Sequence, residues 1–257
     1  MRVAVCISGE MRYFDEKIVK DGFKFIDELN PDIFISTWSH RGTSVDLDRN
    51  YSSFDKKDDD RLEEKILQNY RNIKKIEIES FNTWVDNLDN FNKDILGNRY
   101  STNGLPITSP AQLYKLKKCN LLKSEYEEKN NFIYDVVIKV RPDSLFVESI
   151  DLSHLKDNTI YHLNFGKHAY WPNRIWDLFF FGDSKSMDYL SQAFDSLKEL
   201  VENPFNNGLD RRDPSRLLFL QSQNCGIQNE SLSTRVTNCY KGGDLDFNLN
   251  VIKSLNG

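Results

Sequence analysis

Cysteine and histidine are scarce in this chain, with four of each among 257 residues. The cysteines show no CxxC spacing and the histidines no HExxH pattern, so neither a zinc site nor a disulfide framework is indicated. No apolar run approaches the roughly 20 residues that span a bilayer. The N-terminal apolar stretch is also too short for a signal-peptide core, and the sequence therefore predicts a cytoplasmic protein.

An excess of basic residues is also lacking, since the formal net charge is −5 and the pI is near 5.5. This balance argues against a general nucleic-acid binder. Neither GxxxxGK[ST] nor GxGxxG occurs, so the standard phosphate-binding loops are missing. The chain does have the composition of an ordinary globular protein, with 39% hydrophobic and 28% charged residues.

Strand and helix patterns alternate along the chain. An apolar strand at 2–8, a helical pattern at 14–30 and a second strand at 32–38 predict two parallel, neighbouring strands. Further strands are predicted at 73–81, 134–147, 159–164 and 174–183, helices at 61–70, 110–131, 184–203 and 214–224, and polar loops at 39–60 and 97–110. With no repeat and no linker, the pattern favours one α/β domain.

Ligands of open parallel sheets bind beyond the carboxyl ends of the strands, which directs attention to the residues there. After the first strand come Ser8, Gly9 and Arg12. Gly9 allows a sharp turn and close approach of a ligand, and Arg12 can pair with a diphosphate. A plain strand-to-helix turn, with Arg12 paired to a surface carboxylate, is the alternative interpretation.

The second strand ends in Thr37 and Trp38. An indole that emerges beside a nucleotide crevice can stack on a base or ribose. A tryptophan that simply covers the core is the alternative.

Arg141 and Asp143 end the most apolar strand, with Pro142 between them. A carboxylate at the end of a central strand is where many enzymes hold Mg²⁺ or Mn²⁺ against a diphosphate. Arg141 would add positive charge where the leaving phosphate becomes negative. An Arg–Asp surface pair is the alternative.

Asp177 and Asp213 are candidate general bases. Asp177 precedes an aromatic run, and apolar surroundings that raise its pKa would suit a base for a sugar hydroxyl. A solvated aspartate at a strand entrance is the alternative. Asp213 stands before Pro214 and Ser215, a pattern typical of a helix N-cap, although a loop carboxylate there could also face an acceptor.

Five segments in this order resemble a group of bacterial and viral glycosyltransferases that build lipopolysaccharide, capsule or other surface glycans. The segments are SGEMR at 8–12, NPDIFISTW at 30–38, SPAQLYKLKKCNLLKSEYE at 109–127, YDVVIKVRPDSLF at 134–146 and IWDLFFFGDSKSM at 175–187. The resemblance extends from residue 2 to about residue 225. It implies a single domain over 1–257 with a glycosyltransferase-A (Rossmann-like) fold, a mixed, mainly parallel sheet flanked by helices. A nucleotide-binding part would cover about 1–147 and an acceptor-side part about 148–257.

The resemblance further implies a nucleoside-diphosphate sugar as donor, a glycan acceptor and a Mn²⁺ or Mg²⁺ ion. Such enzymes usually hold the metal on Asp-x-Asp, whereas the corresponding strand end here reads Arg141-Pro142-Asp143. Either Asp143 holds the metal with water and phosphate, or Arg141 takes over part of its role. An acceptor linked to lipid would bring peripheral contact with a membrane.

By position, the resemblance implies a donor site that includes Ser8, Gly9, Arg12, Thr37, Trp38, Gln112 and Arg141. Asp177 is the first candidate for the base of an inverting reaction, and Asp213 the second. Two other classes stay open at this stage. A metal-dependent phosphotransferase or phosphohydrolase would offer more clustered carboxylates or a phosphate-binding glycine loop. A non-catalytic domain would bind a nucleotide sugar or glycan without turnover.

Overall fold

The structure is a computed structural model that describes residues 1–40, 58–92, 109–146, 148–163, 173–203, 213–232 and 236–238. Its strands are β1 (Val3–Ser8), β2 (Asp32–Trp38), β3 (Ile73–Glu79), β4 (Val136–Val140), β5 (Ser144–Phe146), β6 (Thr159–Leu163), β7 (Phe179–Gly182), β8 (Gln228–Leu232) and β9 (Val236–Asn238). Its helices are α1 (Lys17–Asp27), α2 (Leu62–Asn69), α3 (Phe81–Asp86), α4 (Ser109–Asn130), α5 (Ser184–Ser191), α6 (Leu197–Glu202) and α7 (Pro214–Asn224).

A seven-stranded mixed sheet runs through the described chain in the order β3-β2-β1-β4-β7-β6-β8. The pairs β1–β2, β1–β4, β2–β3 and β6–β8 are parallel, whereas β7 is antiparallel to both of its neighbours. The predicted α/β class with a mixed, mostly parallel sheet flanked by helices is thus confirmed. Because β7 runs in reverse, it begins at the edge where β1, β2 and β4 end.

Helices cover the two faces of this sheet, because alternate side chains of each buried strand point to opposite faces. On one face, Val5 and Ile7 pack in one apolar cluster with Phe23 and Ile26 of α1 and Leu62 and Ile66 of α2. On the other, Ala4 and Cys6 pack in a second cluster with Leu113 and Leu116 of α4, Leu190 of α5 and Leu217 of α7. Helix α1 also lies so close to β5 that a Cβ on Gly22 would stand 2.7 Å from the Phe146 carbonyl oxygen.

Several predicted elements have different bounds in the structure. The predicted helix 184–203 is interrupted, since α5 is followed by a 3₁₀ turn at Gln192–Phe194 before α6 begins. The sequence does not show this break, because apolar residues at helical spacing continue across 184–203 and residues of both helices pack in the same cluster. The predicted strand 174–183 begins only at Phe179, so that Asp177 lies in a turn. Strand 134–147 divides into β4 and β5, and β5 pairs with β9 in a separate sheet.

The predicted loops 39–60 and 97–110 lie mostly outside the described residues. Within the described ranges, no helix combines the length and apolar character needed to cross a membrane.

Candidate functional site

The carboxyl ends of three parallel strands meet the start of β7 at one edge of the sheet. Ser8 stands beside Ser36, Ile7 beside Val140, and Val140 beside Phe179 across the strand ladders. Segments far apart in sequence therefore leave the sheet side by side. Their loops carry most of the charged residues that the sequence singles out.

The turn after β1 is fixed by the end of β2. Gly9 has φ of +118°, a conformation that glycine adopts without the steric penalty of a Cβ. Its N–H donates to the Ser36 carbonyl at 3.2 Å, and its own carbonyl accepts from the Thr37 hydroxyl at 2.8 Å. Ser8 and Thr37 are buried. The structure thus gives Thr37 a part in shaping the turn that carries Arg12, and it leaves open space around Gly9.

Arg12 is held at this turn by Glu10. Its Nε donates to Glu10 Oε2 at 2.8 Å, and the other carboxylate oxygen, Oε1, lies 3.0 Å from Nε2 of the buried His40. Burial lowers the pKa of Arg12, but the carboxylates of Glu10 and Asp143 outweigh it and raise the pKa above its ordinary value. The charge of Arg141 acts on Arg12 in the opposite sense. Arg12 is therefore within electrostatic reach of the end of β4.

Arg141 links two carboxylates at the end of β4. Its Nε and one Nη donate to the two oxygens of Asp143 at 3.0 and 2.7 Å, and its other Nη lies 3.4 Å from Asp177 Oδ2. The Asp143 side chain is 5% exposed, that of Asp177 13% and that of Arg141 19%. Asp177 reaches this position because β7 is antiparallel and its entrance turn lies at the carboxyl edge of the other strands.

Asp213 lies beyond Asp177 and caps α7. Its Oδ1 accepts from the backbone N–H of Ser215 at 2.8 Å and of Arg216 at 3.1 Å, and its Oδ2 pairs with Arg174 at 2.9 Å. Burial raises the pKa of Asp213 above its ordinary value; Arg174 and the helix N–H groups oppose this, whereas Asp177 adds to it. The Ser215 hydroxyl lies 3.5 Å from Asp177 Oδ1. Both oxygens of Asp213 thus already have structural partners.

Lys139 adds a buried cation to the same edge. It stands two residues before Arg141 and is 4% exposed, and its Nζ lies 5.6 Å from the centre of the Phe180 ring. Among the described residues, no carboxylate lies within ion-pair distance of this ammonium group. Burial lowers the pKa of Lys139 to about 8, although Asp177 and Asp143 oppose the shift.

Trp38 and Gln112 lie to one side of these charges. The Trp38 ring is 2% exposed and packs against Phe81 and Trp84, and Lys115 Nζ stands 4.1 Å from its centre. The structure therefore places Trp38 in an aromatic cluster rather than on an open wall. Gln112 is half-buried on the first turn of α4, which packs across β1 and β2.

The residues at this edge do not fit a Mn²⁺ or Mg²⁺ centre. Both oxygens of Asp143 accept hydrogen bonds from Arg141, and a dication beside that guanidinium group would be repelled by it. Hard cations need several oxygen ligands, and the described ranges contain no group of three or more His, Cys, Asp or Glu residues that could hold a metal.

The structure thus brings Arg141 into direct contact with Asp143 and Asp177, and places Arg12 and Asp213 on either side of them. Sequence reasoning gave no role to Glu10, Lys139, Arg174 or Ser215. Lys139 did carry a signal, because it interrupts the otherwise apolar strand VVIKV. The partners of Arg174 and Ser215 depend on the packing of α7, which no local pattern reveals.

Comparison of the chain with protein-family models finds no match, and comparison with curated proteins finds no significant similarity.

Proposed function

We propose that this chain is a glycosyltransferase with a glycosyltransferase-A type of fold, which moves a sugar from a nucleoside-diphosphate sugar to a glycan acceptor. The observation that carries the proposal is the meeting of Arg12, Arg141 and two carboxylates at the carboxyl edge of the sheet. Ligands of open α/β sheets bind at such edges. The single reversed strand inside the mixed sheet also supports the proposal, because it brings Asp177 to this edge.

The guanidinium groups of Arg12 and Arg141 would bind the diphosphate of the donor. Guanidinium pairs with phosphate oxygens through two parallel hydrogen bonds, and a partly buried site strengthens them. As the bond between the anomeric carbon and the diphosphate oxygen breaks, negative charge grows on the leaving group. Fixed positive charge at that place stabilises the transition state more than the ground state.

Asp177 is the group that we assign as general base for a reaction with inversion. The acceptor hydroxyl would attack the anomeric carbon and give its proton to the Asp177 carboxylate, while the diphosphate leaves with the electron pair of the broken bond. Asp213 is the weaker candidate because its two oxygens are held at 2.8 and 2.9 Å by the α7 backbone and Arg174, whereas the contacts of Asp177 are longer, at 3.4 and 3.5 Å. A cytoplasmic location and an acceptor at the membrane surface belong to this proposal.

A thermal-shift screen of UDP-, GDP-, CMP- and dTDP-sugars tests the proposal. A donor present at a thousand times its dissociation constant should stabilise the protein by about 4 kcal/mol, which raises Tm clearly. Release of the nucleotide, with water or a glycan as acceptor, should accompany binding.

Asp177→Asn should keep donor binding and lower the turnover rate by at least about a hundredfold, the usual contribution of a general base. The matched control is Asp21→Asn, which alters an exposed carboxylate that pairs with Lys17. If no donor in the panel raises Tm and the protein hydrolyses simple phosphate esters instead, the proposal is wrong and the phosphohydrolase alternative gains support. Binding without any turnover would favour a non-catalytic domain.

A further inference from the structure

Arg141 stands at the position where the resemblance implies the first carboxylate of a metal-binding Asp-x-Asp motif. It donates to both oxygens of Asp143 at 3.0 and 2.7 Å and faces Asp177 at 3.4 Å. Its side chain as a whole is 19% exposed. Arg141 is thus a positive charge that is paired with two carboxylates and is not fully buried.

Lys139 supplies a second positive charge, which forms no ion pair with a described carboxylate. Its Nζ lies 5.6 Å from the centre of the Phe180 ring. Burying an ammonium group without a paired anion is unfavourable, and most buried charges in proteins are paired. The other two buried lysines of the described chain follow that rule, because Lys115 pairs with Glu79 and Lys123 with Glu127 and Asp188. Lys139 is the exception, and it lies under the edge that carries Arg141.

An incoming diphosphate would change the balance of these charges. Asp143 and Asp177 pair with Arg141 in the free protein, and a diphosphate would bring further negative oxygens to the same guanidinium group. Guanidinium forms two parallel hydrogen bonds with phosphate, as it does with carboxylate. Arg141 can therefore give up a hydrogen bond to a carboxylate oxygen and form one to a phosphate oxygen. The added negative charge would also favour the ammonium form of Lys139, in the same sense as Asp177 and Asp143 already do.

We propose that Arg141 and Lys139, together with Arg12, neutralise the diphosphate of the donor, so that donor binding needs no divalent cation. Asp143 acts in this arrangement as a positioning residue that orients Arg141. This inference rests on the proposed function, and it goes further by replacing the metal with side chains of this chain.

Isothermal titration of the full chain with inorganic pyrophosphate, UDP, GDP, CDP and ADP tests the proposal, each in EDTA and in Mn²⁺. We expect at least one nucleoside diphosphate to bind in EDTA with an affinity within about threefold of that in Mn²⁺. Binding that occurs only with Mn²⁺ would overturn this inference and leave the proposed function intact. Failure of all five compounds to bind in either buffer would contradict both.

Asp143→Asn distinguishes most sharply a site that holds the diphosphate with side-chain cations from a site that holds it through a metal ion. The change removes the charge and retains the shape of the side chain, and it leaves Arg141 with a weaker partner. We expect binding of the diphosphate in EDTA to be retained or tightened. A Mn²⁺-dependent gain in affinity that the wild type shows and this variant loses would mean that Asp143 holds a metal, and would contradict the proposal.

Arg141→Gln and Lys139→Met should each weaken binding in EDTA about tenfold or more, the usual effect of losing a charged hydrogen-bonding partner. Arg61→Gln is the matched control, because Arg61 is an exposed arginine that pairs with Glu64. Circular dichroism melting shows whether each variant is folded, and Arg141→Lys replaces Arg141→Gln if the latter is not. Unchanged affinity in both folded edge variants would overturn the proposal.

Discussion

Two regions of this molecule bury lysine in opposite ways. Between α4 and α5, Lys123 is fully buried and donates to Glu127 at 2.9 Å, Ser184 at 2.6 Å and Asp188 at 2.7 Å. We call these four residues the helix network. At the carboxyl edge of the sheet, Lys139 is buried to nearly the same extent, yet it forms no ion pair with a described residue, and its Nζ lies 5.6 Å from the centre of the Phe180 ring.

The difference between the two regions indicates different roles. An ammonium group has three N–H donors, and the helix network provides an acceptor for each of them. Such a network holds elements together. The cluster at the sheet edge comprises Arg12, Lys139, Arg141, Asp143 and Asp177, and we call it the edge cluster. Lys139 of this cluster forms no ion pair with a described residue, and a buried charge without an ion pair is expected where a ligand binds.

Lys123→Met should have the largest effect on stability. Removing the lysine leaves Glu127 and Asp188 without their cation, and breaking a buried ion pair in this way typically destabilises by about 3 to 5 kcal/mol. Urea denaturation measures the change. The control is Lys117→Met, at a partly exposed lysine that pairs with Asp195 and whose loss should have an effect below about 1 kcal/mol. Equal effects for the two variants would mean that the helix network contributes no more than a surface pair.

Lys139→Met should have the opposite sign and stabilise the protein by about 3 kcal/mol at neutral pH. Burial lowers the pKa of Lys139 from 10.5 to about 8, so the unfolded chain binds this proton more tightly than the folded one. A shift of one pKa unit corresponds to about 1.4 kcal/mol of folding free energy. The charged Lys139 destabilises the folded state by the full amount of this shift at any pH below about 8.

The same linkage predicts the pH dependence of the effect. As the pH rises from about 8 to about 10.5, the folded lysine is already neutral while the unfolded one still loses its proton, so the penalty disappears. Denaturation of the wild type and of Lys139→Met at pH 7, 9 and 10.5 therefore should give converging stabilities. A variant that is less stable than the wild type at pH 7 would show that Lys139 has a stabilising partner and would remove the contrast with Lys123.

Thr37→Val should give the smallest of these effects, a loss of about 1 kcal/mol. The Thr37 hydroxyl donates to the Gly9 carbonyl at 2.8 Å, and one hydrogen bond between uncharged groups contributes about that much. A loss of this size would mean that the backbone turn, and not the charged side chains, contributes stability at the sheet edge. Thermal melting measures the loss. Unchanged stability would mean that the turn holds its shape without this bond.

The central part of the fold could be predicted from sequence because its signals are local. Buried strands such as 2–8 and 32–38 read as short apolar runs, and a helix between two of them leaves only a parallel pairing. Strand β8 was missed because its residues, QNESL, are polar and mostly half-exposed. The break after Ser191 was missed because both sides of it bury apolar residues against the same core.

The site could be predicted only in part, for a different reason. A strand end predicts which residues leave the sheet, and this selected Arg12, Arg141 and Asp143. Asp177 was selected as part of a strand, whereas it reaches the edge through the turn before an antiparallel strand. No local pattern shows that direction. The bidentate pairing of Arg141 with Asp143 likewise depends on side-chain geometry that a sequence does not contain.

A crystal structure of the full chain with a bound nucleoside diphosphate, grown in EDTA, would show directly which side chains hold the diphosphate. The ligand would be the member of the UDP, GDP, CDP and ADP series that binds most tightly. We expect phosphate oxygens within hydrogen-bond distance of the Arg141 guanidinium group at the carboxyl edge, with Arg12 and Lys139 close by. Phosphates bound elsewhere, with Arg141 still paired to both oxygens of Asp143, would contradict this expectation.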